Sequence, residues 1–150
     1  MRGYPSGFRK LLFATMGGLI GSGVLLIPTT LDLRLAWNMA WRLSASNRTG
    51  VVALHVALGF ITLMILGALW SIHMRAGWRH RRNHRNGALL VLLLLTLAVS
   101  GLGIFYLVDE DIALADALSH TLAGVLLPIP FIYHYFQGRK ILRRRAKHIV

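Results

Sequence analysis

Four apolar runs, each long enough to cross a lipid bilayer, constrain this 150-residue chain more than any other feature of its sequence. A transmembrane helix needs about 20 predominantly apolar residues, and each run must satisfy its own backbone hydrogen bonds within the bilayer. We therefore expect an all-α fold, a four-transmembrane-helix bundle that forms a single integral membrane domain over residues 1–150. The predicted spans are about 11–31, 51–73, 87–108 and 117–136.

The charged residues divide between the two ends of this predicted bundle. All but three of the 17 Lys and Arg residues lie in segments 1–10, 74–86 and 137–150, whereas the five acidic residues all lie in the other connections. Cytoplasmic loops of membrane proteins are enriched in Lys and Arg. We therefore predict that both termini and the loop 74–86 are cytoplasmic, an N-in/C-in topology. The same topology accounts for the net charge of +12 without a nucleic-acid partner.

Two histidines recur on each of two predicted spans, one toward either end of the helix. His55 and His73 are separated by five full helical turns at about 100° per residue, and His120 and His134 lie about 40° apart around their helix. Each helix thus carries both of its histidines on one face, with one histidine near each leaflet. Ionisable side chains within a span are costly and usually functional.

Two inward histidines at each depth are what two stacked b-type haems require, since bis-histidine ligation places one imidazole on each side of the iron. The chain has no cysteine, which excludes thiolate zinc sites, iron–sulfur clusters and covalently attached c-type haem. We predict that His55 and His120 ligate an outer haem and that His73 and His134 ligate an inner one. The alternative is a haem-free protein in which the histidines are hydrogen-bonded core residues.

A glycine follows each outer histidine by four residues, in the pattern His-x-x-x-Gly. Gly59 and Gly124 then lie one turn inward on the ligand face, where a missing side chain would let a porphyrin plane approach the backbone. We therefore predict both glycines as haem-binding positions.

The inner haem depends on a difference in length between the two ligand helices. On straight helices, His55 and His73 are about 27 Å apart along the axis, against about 21 Å for His120 and His134. Helix tilt and a bend at the prolines of the fourth span must absorb the difference. Otherwise His73 and His134 do not form a pair, and the chain binds one haem.

The loops carry three further expectations. Tryptophans at helical spacing in residues 32–50 predict a short interfacial helix in the first outer loop, with a lid over a quinol or haem edge as the alternative. The basic loop 74–86 could pair with haem propionates, although its topology alone accounts for its charge. The acidic residues 109–111 could dock a basic periplasmic electron carrier, although an ordinary solvated loop is the simpler interpretation.

The sequence from Gly87 onward resembles the membrane-embedded di-haem cytochrome b proteins of bacteria. It has a Leu-rich span, Ser-Gly-x-Gly, an acidic turn, then His-x-x-x-Gly, prolines, a second histidine and Gly-Arg-Lys. The resemblance is to the four-helix cytochrome b subunits that serve respiratory dehydrogenases and hydrogenases, and it covers about residues 51–140. It implies haems held by inward histidines, with His120 and His134 from one helix and His55 and His73 from the other.

The resemblance also implies a function and a location. The chain would be a multi-pass protein of the bacterial inner membrane that carries electrons between the quinone pool and a redox partner, either a partner subunit or a periplasmic carrier. A haem-dependent oxidoreductase acting on quinone or superoxide is one alternative, and a haem-free structural membrane subunit is another. The spans contain no set of residues typical of hydrolases or transferases.

The topology can be tested by cysteine labelling, because the natural chain has no cysteine of its own. Single cysteines at Arg79 and Asp111 should react with a membrane-impermeant thiol reagent from opposite sides of the membrane. Labelling of both positions from the same side would contradict the predicted topology.

Overall fold

Every regular element of the computed structural model, which describes residues 4–79 and 83–146, is a helix. The predicted all-α fold is therefore confirmed. A five-residue π-helix, Trp70–Met74, joins the second helix to the third. The α-helices are α1 (Phe8–Leu35), α2 (Ala45–Leu69), α3 (Arg75–Arg79), α4 (His84–Tyr106), α5 (Glu110–Leu126) and α6 (Pro128–Ala146).

Four helical segments are long and apolar enough to cross a membrane, which gives the chain the architecture of a multi-pass membrane protein. They are Phe8–Leu35, Ala45–Leu69, His84–Tyr106 and Glu110–Ile141. Large apolar side chains such as Phe60, Leu92 and Val99 are exposed along them, as expected of surfaces that contact lipid rather than water. The N-in/C-in orientation of these helices stays a prediction.

The bundle consists of two antiparallel hairpins. Helix α1 packs along α2 in the first hairpin, and α4 packs along α5 in the second. The hairpins meet chiefly through α1 and α5, and α2 approaches α4 only slightly. The histidine-bearing helices α2 and α5 therefore face each other across the bundle, with α1 and α4 beside them.

The predicted interfacial helix of the first outer loop is wrong. Helix α1 continues to Leu35 and α2 begins at Ala45, so the two spans take up most of the segment in which that helix was expected. The remaining residues, 36–44, are not helical. Ala36 ends α1 with a left-handed backbone (φ 51°), and the Ser44 side chain caps α2 by accepting a hydrogen bond from the Asn47 N–H.

The fourth span is interrupted at Leu127, directly before the first of its two prolines. Leu127 still forms two helical hydrogen bonds. Its N–H donates to the Ala123 carbonyl (3.0 Å), and its carbonyl accepts from the Phe131 N–H (3.3 Å). Pro128 and Pro130 cannot donate such bonds. The prolines therefore remove two rungs of the hydrogen-bond ladder, as their positions in the sequence predict.

The centre of the bundle is a small apolar cluster. Met16 of α1, Leu90 of α4 and Leu127 at the α5–α6 junction are buried and pack together. Leu127 is two helical turns from His120 on one side and two turns from His134 on the other. The cluster thus lies between the two histidine levels and excludes water from the space that separates them.

Leu127 should be the most sensitive position of this cluster, since its side chain is 2% exposed. Leu127→Ala should lower the free energy of unfolding by about 2–5 kcal/mol, because it leaves a cavity that the rigid helices cannot close. The adjacent Leu126→Ala is the matched control, because Leu126 is 47% exposed. Thermal denaturation in detergent should show a lower midpoint for Leu127→Ala alone; equal midpoints for the two variants would contradict the assigned core.

Candidate functional site

The outer pair of histidines meets in the interior of the bundle. His55 of α2 and His120 of α5 have ring centroids 6.3 Å apart, and their ring planes are inclined at 73°. Both side chains are half-buried. The structure thus brings together the two residues that sequence reasoning assigned to one site.

The inner pair repeats this arrangement at the other end of the bundle. His73, in the π-helix, and His134 of α6 have ring centroids 6.0 Å apart and planes inclined at 74°. The difference in helical length between the two ligand helices therefore does not keep these residues apart. The two pairs have nearly the same geometry even though their helices differ.

The π-helix is one structural reason why His73 reaches its partner. A π-helix has more residues per turn than an α-helix, so it advances less along the axis and turns the His73 side chain around the helix. The hydroxyl of Tyr4 lies within the widened turn. It accepts a hydrogen bond from the His73 N–H (3.2 Å) and donates one to the Ala68 carbonyl (3.3 Å). A side chain inserted into the ladder in this way is a known cause of helix distortion.

Each outer histidine is hydrogen-bonded to a serine of the neighbouring helix in its own hairpin. Ser22 Oγ of α1 lies 2.9 Å from His55 Nδ1, and Ser100 Oγ of α4 lies 2.9 Å from His120 Nδ1. Both serines are buried. The two hairpins thus support their outer histidines with the same polar contact.

A glycine follows each of these serines and lies against the same imidazole. A Cβ atom added at Gly23 would be 3.2 Å from His55 Cε1, and one added at Gly101 would be 3.4 Å from His120 Cε1. Even a methyl group at position 23 would press on the ring. Glycine therefore sets how closely α1 and α4 can approach the outer histidines.

The glycines that sequence reasoning selected occupy different surroundings. A Cβ at Gly59 would meet no atom within 4 Å, and one at Gly124 would meet only the Leu97 side chain, at 3.9 Å. Both positions thus leave space beside the ligand face. Their assignment to haem binding stays a prediction.

The inner pair is supported by different groups. Asn83 Nδ2 lies 3.1 Å from His134 Nδ1 and donates a hydrogen bond to the His134 carbonyl, also at 3.1 Å. Gly87, one turn further along α4, would place a Cβ 3.4 Å from His134 Cε1. Asn83 itself has a left-handed backbone (φ 49°) that begins α4.

Two of the acidic residues that follow α4, Asp109 and Asp116, make structural contacts. Asp109 caps α5 by accepting a hydrogen bond from the Ile112 N–H (3.0 Å). Asp116, one turn before His120, packs its carboxylate against Gly103 of α4, where a Cβ would come within 2.5 Å of Oδ2. Among the described residues, no group hydrogen-bonds to this buried oxygen.

The basic and histidine residues of the inner loop are only partly described. Arg75 and Arg79 belong to the short helix α3 and are exposed. His84 begins α4 and packs edge-on against Trp78, with ring centroids 5.6 Å apart. His80 lies outside the described residues.

An open groove of about 620 Å³ lies between α2 and α4 at the outer end of the bundle. Arg48 and Thr49 are at its rim, and its walls are apolar. Val56, the neighbour of His55 in sequence, is one of the lining residues. The groove therefore lies at about the same depth in the bundle as the outer histidine pair.

The histidines form pairs rather than larger clusters. Within residues 4–79 and 83–146, no three His, Asp or Glu side chains come together in a way that could hold a metal ion. Two facing imidazoles can supply two opposite axial ligands, which suits a cofactor that provides its own equatorial ligands. No protein-family model, curated protein or solved structure matches this chain.

Sequence reasoning missed the groups that support the histidines. Ser22, Asn83 and Tyr4 each lie far from their partners along the chain, and none belongs to a recognisable motif. One signal was present: the dipeptide Ser-Gly occurs on both α1 and α4. Its repetition on the two helices that precede His-x-x-x-Gly helices indicates equivalent hairpins.

Tyr4→Phe should move His73 relative to His134. Without the hydroxyl, the widened turn loses the group that bridges its N–H and carbonyl, and the segment should return toward α-helical geometry. The ring proton signals of His134 should then shift in NMR spectra of histidine-labelled protein, while those of His120 should not. Tyr106→Phe, which changes an exposed tyrosine of α4, should leave both sets unchanged. Unchanged His134 signals in Tyr4→Phe would contradict this role.

Proposed function

We propose that this protein is a transmembrane b-type di-haem cytochrome that carries electrons between the quinone pool and a redox partner. The outer haem is held by His55 and His120 and the inner haem by His73 and His134. The observation that carries the proposal is the presence of two facing histidine pairs, one toward each end of the bundle.

The spacing of the rings supports this assignment. A metal–imidazole bond is about 2 Å long and a ring nitrogen lies about 1.1 Å from the ring centre, so two imidazoles that bind one metal from opposite sides have centroids about 6.2 Å apart. The observed separations are 6.3 Å and 6.0 Å. Edge-to-face contact between two aromatic rings also gives centroid separations of about 4.5–7 Å, so the spacing is compatible with the assignment and haem content is the measurement that tests it.

The surroundings of the pairs are also suited to a flat, largely apolar cofactor. Gly23, Gly87 and Gly101 remove side-chain volume beside three of the four rings. Gly59 and Gly124 leave further space one turn inward from the outer histidines. These five positions are haem-binding glycines in the proposal.

Cationic residues are available for the haem propionates. Arg48 is on the same face of α2 as His55, two turns closer to the outer surface, and is half-buried. Arg75 and Arg79 follow His73 at the inner end. Charge-assisted hydrogen bonds from guanidinium groups to carboxylates are among the stronger polar contacts in proteins.

Haem supplies one-electron redox chemistry when it is bound. The four histidines would hold the two haems, one pair at each level, and each pair would supply two imidazole ligands to its haem. The apolar cluster around Leu127 keeps water out of the space between the levels, and the supporting side chains orient the rings. The chain would therefore connect one face of the membrane with the other by two fixed electron carriers.

The groove between α2 and α4 supports a lipophilic partner at the outer end. It opens toward the lipid, has apolar walls and carries Arg48 at its rim. These are suitable surroundings for a quinone ring with a hydrophobic tail. Placement in the bacterial inner membrane and the identity of the partner, a subunit or a periplasmic carrier, belong to the same proposal.

Haem content per chain tests the function directly. The purified protein should contain two haems per chain, with low-spin absorbance bands that change on reduction. His55→Ala or His120→Ala should remove the outer haem, and His73→Ala or His134→Ala the inner one, because each histidine supplies one of two axial bonds. His84→Ala, outside both pairs, should retain two haems.

A haem-free wild-type protein would overturn the proposal in favour of a structural subunit. One haem per chain would remove the inner site from it. Reduction of the bound haems by quinol, measured with and without added partner, distinguishes an electron-transfer subunit from an oxidoreductase that acts alone. The former passes electrons on only when its partner is present.

A further inference from the structure

We infer that Ser22 and Ser100 are positioning residues that hold His55 and His120 in the tautomer with the proton on Nδ1. The Nε2 atom of each ring is thereby left as the ligand atom for the outer metal. The inference rests on the proposed function, since it assigns these serines to the outer haem, but the tautomer itself is a property of the protein alone.

The hydrogen-bond pattern of each serine fixes the direction of its contact with histidine. Ser22 Oγ donates its proton to the Leu19 carbonyl (3.1 Å), and Ser100 Oγ donates to the Thr96 carbonyl (2.8 Å). A hydroxyl has one proton and can otherwise only accept. With that proton on the carbonyl, the hydroxyl accepts a hydrogen bond from the imidazole nitrogen 2.9 Å away.

This arrangement determines the chemistry of the other ring nitrogen. A neutral imidazole carries one N–H, so a proton held on Nδ1 leaves a free lone pair on Nε2. A hydrogen bond from Nδ1–H also raises the basicity of the ligand and fixes the orientation of the ring. The serines are 4% and 8% exposed, so bulk water cannot readily replace them as acceptors.

The glycine next to each serine completes the arrangement. Gly23 and Gly101 touch the Cε1 edge of the same imidazoles that Ser22 and Ser100 hydrogen-bond. The serine thus keeps the imidazole proton on Nδ1, and the glycine sets how close its helix can lie to the ring. The same two-residue unit occurs on α1 and α4, in hairpins that run in the same direction through the membrane.

The inner pair does not have this arrangement, which gives the inference a strong internal control. His134 Nδ1 faces the amide nitrogen of Asn83, which is a donor and leaves the ring proton on Nε2, so binding of the proposed inner haem requires this hydrogen bond to be given up. Among the described residues, no side chain hydrogen-bonds to the ring of His73; Tyr4 contacts only its backbone N–H. Removal of the serine hydroxyls should therefore affect the outer site alone.

The first measurement uses the protein as purified. Ser22→Ala and Ser100→Ala should each raise the midpoint potential of the outer haem, because a less basic ligand stabilises the oxidised iron less. They should also weaken outer haem binding by about 10–100-fold, the usual effect of losing a group that orients a metal ligand. The potential of the inner haem should not change.

Thr62→Val is the matched control. Its buried hydroxyl donates to the Leu58 carbonyl (2.8 Å) and, among the described residues, forms no hydrogen bond with a histidine, so this variant removes a comparable hydroxyl group. The control should leave both potentials unchanged. Unchanged outer potentials in both serine variants, or a shift in Thr62→Val equal to theirs, would overturn the inference.

The second measurement does not depend on haem. In the full-length chain produced under haem-depleted conditions, ¹⁵N NMR of labelled histidine should show Nδ1 protonated and Nε2 unprotonated at positions 55 and 120. Protonated Nε2 at either position in the wild type would overturn the inference. A wild-type protein that never binds haem would refute the proposed function, whereas the tautomers would still decide the role of the serines.

Discussion

The hydrocarbon core of a bilayer offers no hydrogen bonds, and the rest of this structure depends on that constraint. A polar group placed there is costly unless it finds a partner within the protein. The outer imidazoles find theirs in serine hydroxyls, which in turn donate to the Leu19 and Thr96 backbone carbonyls of their own helices. A short chain of hydrogen bonds thus fixes two polar side chains inside an apolar bundle, and the glycines beside them set the distances between helices.

The parts of the fold that follow from hydropathy could be predicted from the sequence. Four spans were predicted and four are present, because long apolar runs have no other stable structure in lipid. The pairing of His55 with His120 also follows, since helical spacing and matched depth place both on facing surfaces. The interfacial helix failed because amphipathic spacing in residues 32–50 says nothing about where the neighbouring spans end.

Contacts between residues far apart along the chain could not be predicted from the sequence. A straight-helix estimate left His73 about 6 Å out of register with His134, and only the structure shows a π-helix at this point, with Tyr4 inserted into it. Sequence reasoning likewise placed the important glycines on the ligand helices, at Gly59 and Gly124. The glycines at which an added Cβ would meet a histidine ring are on the neighbouring helices α1 and α4, because close approach is decided by the surface that packs against the ring.

The weak contact between the hairpins has a consequence for assembly. Each hairpin holds its own serine, glycine and histidine, but each histidine pair is shared between the two hairpins, which meet mainly through α1 and α5. A cofactor bound by both members of a pair would therefore hold the two hairpins together. Ligand that binds only the docked form shifts the equilibrium toward it by mass action, so cofactor supply would control how much of the chain reaches its assembled state.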